Sequence, residues 1–139
     1  MDISNDEEKI AALLRETKRV AVLGMKMEPQ QPAYYVPKYL VDVGVEVIPV
    51  PVYYPGVSEI LGRKVYRKVA DVPGPIDIVD VFRRSKDIAA HVDDILAAKP
   101  KCVWLQLGIR DDESAARFSA AGILVVQDRC LMVDHERYV

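Results

Sequence analysis

Gly24 stands at the end of an unbroken apolar run, Val20-Ala21-Val22-Leu23, and ahead of a stretch with helical spacing. A glycine between a strand and a helix is where backbone N–H groups and a helix N-terminus can take a phosphate. Lys26 adds a mobile cation to the same loop, although a loop lysine is equally at home as a solvated side chain. The dinucleotide pattern of three spaced glycines is absent, because Gly24 is followed by Met25-Lys26-Met27-Glu28-Pro29. A second candidate is Val81-Phe82-Arg83-Arg84. The forked donors of arginine suit phosphate and Phe82 could pack on a base or an apolar arm, while one arginine could equally face solvent or cap a helix. A third is Gln106-Leu107-Gly108-Ile109, where Gly108 would let a ligand approach the backbone or simply make a strand-to-helix turn.

A missing residue type narrows the chemistry. Nicotinamide dinucleotide domains place Asp or Glu at the end of the second strand to hold the ribose hydroxyls. Here that stretch is Val50-Pro51-Val52-Tyr53-Tyr54, without a carboxylate, and Glu46 lies at the wrong end of the strand. The two tyrosines could stack on an adenine or cover the sheet edge. No catalytic constellation emerges. His91 is expected mid-helix and His135 in a polar tail, both as surface groups without a nucleophile or carboxylate partner. Asp80 could reach the crevice or bond a neighbouring loop. Cys130 could approach a ligand thiol, but buried structural thiols are more common. Cys102 and Cys130 have no metal spacing and make no disulfide framework.

The positions of these residues follow from the element pattern. Ser4-Asn5-Asp6-Glu7 reads as a capping box for a helix over about residues 5–16 carrying Ile10, Leu13 and Leu14. After the first strand, a helix from about Ala33 carries Val36, Tyr39, Leu40 and Val43, with Pro37 in its first turn and Gly44 as its stop. Residues 46–50, 76–82, 102–105 and 123–126 read as further strands, with a short extended piece around Val65 and Tyr66. Ser85 is placed to cap a helix through Leu96 that Pro100 closes. Asp111 or Asp112 caps another, ending at Gly122, and the tail is expected to hold one helical turn. Strands alternating with helices predict an α/β fold: a three-layer, Rossmann-like, doubly wound parallel sheet of five or six strands in one domain, its core over about residues 18–135. The order should reverse between the first strand and residues 76–82. Ligands bind at the strand carboxyl ends beside such a reversal, which nominates the loops 24–31 and 82–85.

With 139 residues, half of them hydrophobic and 29% charged, the chain suits one globular domain. A net charge of −2 gives no global field to recruit nucleic acid or an anionic membrane, so any anionic ligand must be held locally. No apolar run reaches the ~20 residues of a membrane span, and the acidic N-terminus lacks signal-peptide character. The expectation is a cytoplasmic protein, with Tyr53-Tyr54 exposed for a homodimer contact.

Several segments together resemble the small stand-alone CoA-binding proteins, whose fold is similar to the CoA-binding domain of the succinyl-CoA synthetase α subunit. The matching pieces are Val20-Ala21-Val22-Leu23-Gly24, Pro32-Ala33-Tyr34-Tyr35-Val36-Pro37-Lys38-Tyr39-Leu40, Val47-Ile48-Pro49-Val50, Asp77-Ile78-Val79-Asp80-Val81-Phe82-Arg83, Val103-Trp104-Leu105-Gln106-Leu107-Gly108-Ile109 and the run from Asp128 to His135. The resemblance implies non-catalytic binding of coenzyme A or an acyl-CoA. Its site would comprise Gly24, Met25, Lys26 and Pro32, then Val50 and Tyr53, then Val81, Phe82 and Arg83, and finally Gln106, Gly108 and Ile109, with no metal. The synthetase phosphohistidine belongs to a second domain without a counterpart in these residues. The alternatives are a component of an acyl-CoA synthetase, an NAD(P)-binding oxidoreductase-like enzyme, or a scaffold that has lost its ligand. Lys26 and Gln31 replace the family's usual hydroxyl residue and arginine, and Pro51-Val52-Tyr53 replaces its usual Asn-Pro. The implied 3′-phosphate contact of CoA is weakened accordingly.

Overall fold

The computed structural model describes all residues from Met1 to Val139. In chain order the elements are α1 (Glu7–Glu16), β1 (Arg19–Leu23), α2 (Pro32–Asp42), β2 (Glu46–Val50), β3 (Glu59–Ile60), β4 (Arg63–Lys64), β5 (Ile78–Val81), α3 (Val92–Ala98), β6 (Cys102–Leu105), α4 (Asp112–Ala120), β7 (Leu124–Val126) and α5 (Leu131–Tyr138). Five strands form one parallel sheet in the order β2-β1-β5-β6-β7. The chain leaves β1 to one side for β2 and returns to the other side for β5. The reversal therefore falls between β1 and β5, where the element pattern put it.

Alternation of side chains along each strand divides the core in two. Val20 and Val22 of β1 join Ile78, Trp104 and Val126 beneath α1, α2 and α5. Ala21 and Leu23 join Val79, Val81, Val103 and Leu105 beneath α3 and α4. Both faces are covered, which is why these strands are continuous Val/Ile/Leu runs rather than alternating ones. At the β7 edge the N-terminus adds a short parallel bridge, with the Ile3 N–H on the Val125 carbonyl and the Val125 N–H on the Met1 carbonyl.

Several local expectations are corrected. Asp6, not Ser4, caps α1 by accepting the Lys9 N–H. The Ser4 hydroxyl instead accepts the Gln127 N–H at 2.8 Å, joining the first residues to the end of β7. Pro37 lies in the second turn of α2, and Pro32 takes the first helical position. The extended piece is an antiparallel hairpin, β3 with β4, just ahead of Val65. Residues Ser85–His91 form 3₁₀ turns before α3 rather than a continuous α-helix. The Ser85 hydroxyl accepts the Arg110 N–H instead of capping. The tail holds an eight-residue helix, so His135 is buried and its Nδ1 lies 2.8 Å from the Tyr39 hydroxyl. The polar look of the tail concealed this because Leu131, Asp134 and His135 share the face turned inward.

Asp80 reaches neither a loop nor the crevice. It is fully buried in β5, opposite Val22 and Trp104, and neither carboxyl oxygen has a partner. Burial pushes its pKa well above the ordinary carboxylate value. The folded protein therefore keeps a proton that the unfolded chain releases above about pH 4, and this contribution to stability falls as pH rises from there. Asp80→Asn removes the titration at nearly constant shape. Urea unfolding of both proteins should show the variant gaining on the wild type by about 1 kcal/mol or more between pH 4.5 and 7.5. A stability difference independent of pH would contradict this.

Candidate functional site

Past the carboxyl ends of β5 and β6, beside the start of α2, opens a cleft of about 510 Å³, a size ordinary for small-molecule sites. One wall is the start of α2: Gln31, Pro32, Ala33 and Tyr35. The other is the stretch from Phe82 to Ser85, and the floor is the turn after β6, from Gln106 to Ile109, closed at the far end by Cys130. Six of the expected site residues meet here: Pro32, Phe82, Arg83, Gln106, Gly108 and Ile109. Met25, Val50 and Val81 are in the core, so only their backbones could meet a ligand. Lys26 and Tyr53 lie at the margin. The Lys26 Nζ is 5.7 Å and the Arg83 Cζ 5.9 Å from the centre of the half-exposed Tyr53 ring, which both cations share.

Gly24 has a packing role that the sequence did not reveal. Its φ of +84° is a left-handed conformation, and its N–H is committed to the Val50 carbonyl at 2.9 Å. A Cβ built there would collide with the Phe82 carbonyl oxygen and crowd the Arg83 side chain. The glycine thus lets the two crevice loops touch. The loop it begins is fixed by Pro37. With no N–H at Pro37, the Ala33 carbonyl one turn earlier is free, and it accepts the Lys26 N–H at 3.2 Å. Glu28 closes the loop by accepting the Tyr54 hydroxyl at 2.6 Å, which holds its carboxyl below the usual range.

The anion-binding capacity sits further along the cleft. The N–H groups of Ala33, Arg83 and Leu107 have no acceptor within the protein, and the first of these belongs to the open N-terminus of α2. Arg83 is largely buried; its Nε donates to His91 Nε2 at 3.2 Å, and one terminal nitrogen lies 3.9 Å from Asp87. Asp87 also accepts from Arg84 at 2.8 Å, and that bond holds the carboxylate below its ordinary pKa. Burial, helped by Arg83, lowers the pKa of His91 and favours the neutral ring that can accept from the guanidinium. His91 is therefore no surface histidine but part of the arginine's mount. On the floor, Gly108 adopts φ +83° and donates its N–H to Asp128 at 2.7 Å.

Gln31, Ser85 and Leu107 lie within the loops that the sequence nominated, whereas Ala33 and Tyr35, in the first turn of α2, were not assigned to the site. The signal for Tyr35 was present in its spacing from Pro32: with the helix starting there, residues 32 and 35 lie on one face of its first turn.

A family model described as a CoA binding domain matches residues 18–136. "Uncharacterized protein YneT" of Bacillus subtilis (strain 168) is 34% identical over 127 residues, covering 91% of this chain and 92% of that protein. A solved structure from Thermus thermophilus, cell-free ID.343, superimposes with a TM-score of 0.89 at 40% identity, covering 96% of this chain and 99% of that one. A hypothetical protein from Pyrococcus horikoshii OT3 gives 0.87 at 32% identity, with coverage of 99% and 96%. A dinucleotide-forming acetyl-coenzyme A synthetase 1 of Ca. Korarchaeum cryptofilum gives 0.70 at 24% identity. This chain covers 27% of that enzyme, and the likeness is one of fold.

Because Gly24 combines a positive φ with a backbone neighbour that cannot move aside, Gly24→Ala should destabilise the fold by about 2 kcal/mol or more. Urea denaturation measures this. A loss below about 0.5 kcal/mol, the range of neutral surface changes, would show that the Phe82 segment yields.

Proposed function

We propose, from the premise that this chain belongs to the CoA-binding domain family, that it holds coenzyme A or an acyl-CoA at the carboxyl edge of its sheet without itself catalysing a reaction. The observation that carries this reading is the mixed lining of the cleft. It combines unpaired N–H groups at Ala33, Arg83 and Leu107 and the mounted Arg83 guanidinium with the apolar side chains of Tyr35, Leu107 and Ile109. A ligand with a pyrophosphate and a long, weakly polar arm suits such a lining. The Tyr53 ring between Lys26 and Arg83 offers a stacking surface for the adenine at the cleft margin.

The non-catalytic part of the reading is supported by the engagement of both histidines, His91 with Arg83 and His135 with Tyr39. No carboxylate of β2 waits for a ribose, since Val50 leads directly into Pro51 and Val52.

Calorimetric titration with CoA, dephospho-CoA, ATP and NAD tests the proposal. CoA should bind and NAD should not. CoA and dephospho-CoA should differ by less than about tenfold, since Gln31 is uncharged and Lys26 already stands over the Tyr53 ring. Arg83→Ala should weaken CoA by about 10- to 100-fold, the range for a hydrogen bond to a charged group. Absence of heat and of thermal stabilisation at millimolar CoA would reject the reading.

A further inference from the structure

We propose that Cys130 is a thiol–disulfide exchange site for the ligand of this cleft, holding a CoA-type pantetheine arm as a mixed disulfide. This inference rests on the CoA reading above and says which end of the ligand lies where. Cys130 is half-buried, lines the cleft and sits beside the Gln106 turn. The other thiol, Cys102, is fully buried in β6, and burial pushes its pKa up, so it serves as an internal reference for an unreactive cysteine.

The independent sign of a ligand is Gln106. It is 4% exposed, lines the cleft, and its Oε1 accepts the N–H of Leu131, the residue after Cys130, at 3.2 Å. Its Nε2 has no acceptor within the protein and is not sealed off, so its donors open into the cleft next to Cys130. A ligand carbonyl entering the open cleft can take one of these donors. The pantetheine arm carries an amide carbonyl a few bonds from its thiol. With that carbonyl on Gln106 Nε2, the sulfur lies on the Cys130 side. The apolar wall of Leu107 and Tyr35 covers the methylenes between them.

The step balances with a pantetheine disulfide as oxidant. The Cys130 thiol gives up its proton and its sulfur attacks one sulfur of CoA disulfide. The Cys130–CoA bond forms as the S–S bond of the disulfide breaks, and the leaving CoA thiolate takes up the proton. Cys130 is oxidised and one CoA equivalent is reduced. A free thiol reverses the reaction.

The test is intact-protein mass spectrometry under non-reducing conditions. Reduced wild type, Cys130→Ser and Cys102→Ser are each incubated with CoA disulfide or with oxidised glutathione, alongside calorimetry with reduced CoA. Wild type and Cys102→Ser should gain one CoA at least tenfold faster than one glutathione, and excess acetyl-CoA should block the gain. Cys130→Ser should gain none, and dithiothreitol should release the adduct. Equal rates with the two disulfides, or an adduct that survives Cys130→Ser, would overturn the exchange site while measured CoA affinity left the binding reading standing. Loss of both affinity and adduct would overturn the binding reading as well.

Discussion

The backbone at Gly24 passes so close to the Phe82 carbonyl that no side chain fits between them. This contact joins the ends of β1 and β5 at the place where the strand order reverses, and the shape of the cleft depends on it. With the two loops in contact there, the loop after β1 turns away over the end of β2, and its last residues deliver the start of α2 to the crevice. The Lys26 N–H on the Ala33 carbonyl fastens that arrangement. A proline that would weaken an isolated helix here frees the acceptor that the loop needs.

The electrostatics of the cleft are built by mounting rather than by accumulation of charge. Asp87 engages both Arg83 and Arg84, and neutral His91 receives the Nε–H of Arg83. A guanidinium held in this way has already lost much of its rotamer freedom, so less is lost when an anion arrives. The net charge of the chain is only −2, and a fixed local cation with unpaired backbone N–H groups nearby replaces a broad positive field.

Asp80 and Gln106 are the two polar groups whose treatment in the interior is most uneven. Gln106 divides its amide between Leu131 and the open cleft. Asp80 has no partner at all within the sheet. Asp80 lies in β5, one residue before its end at Val81, and Gln106 is the first residue after β6 ends at Leu105. The apolar surroundings that stabilise the sheet therefore sit directly against the groups that cost most to bury.

By itself the sequence determined the sheet and its reversal, because continuous Val/Ile/Leu runs joined by helical spacing allow few arrangements once crossovers are right-handed. It also located three of the cleft's loops, and the missing carboxylate after Val50 was legible without coordinates. The purpose of Gly24 was not legible: a glycine after a strand looks the same whether it faces a phosphate or a neighbouring carbonyl. Only the tertiary structure showed that its N–H is spent on Val50 and its missing Cβ makes room for Phe82. The partners of Arg83 and His91, the burial of His135 and the pairing of Gln106 with the start of α5 were decided in the same way. Periodicity reports which face of an element is buried, whereas a contact between distant segments depends on how those faces are assembled.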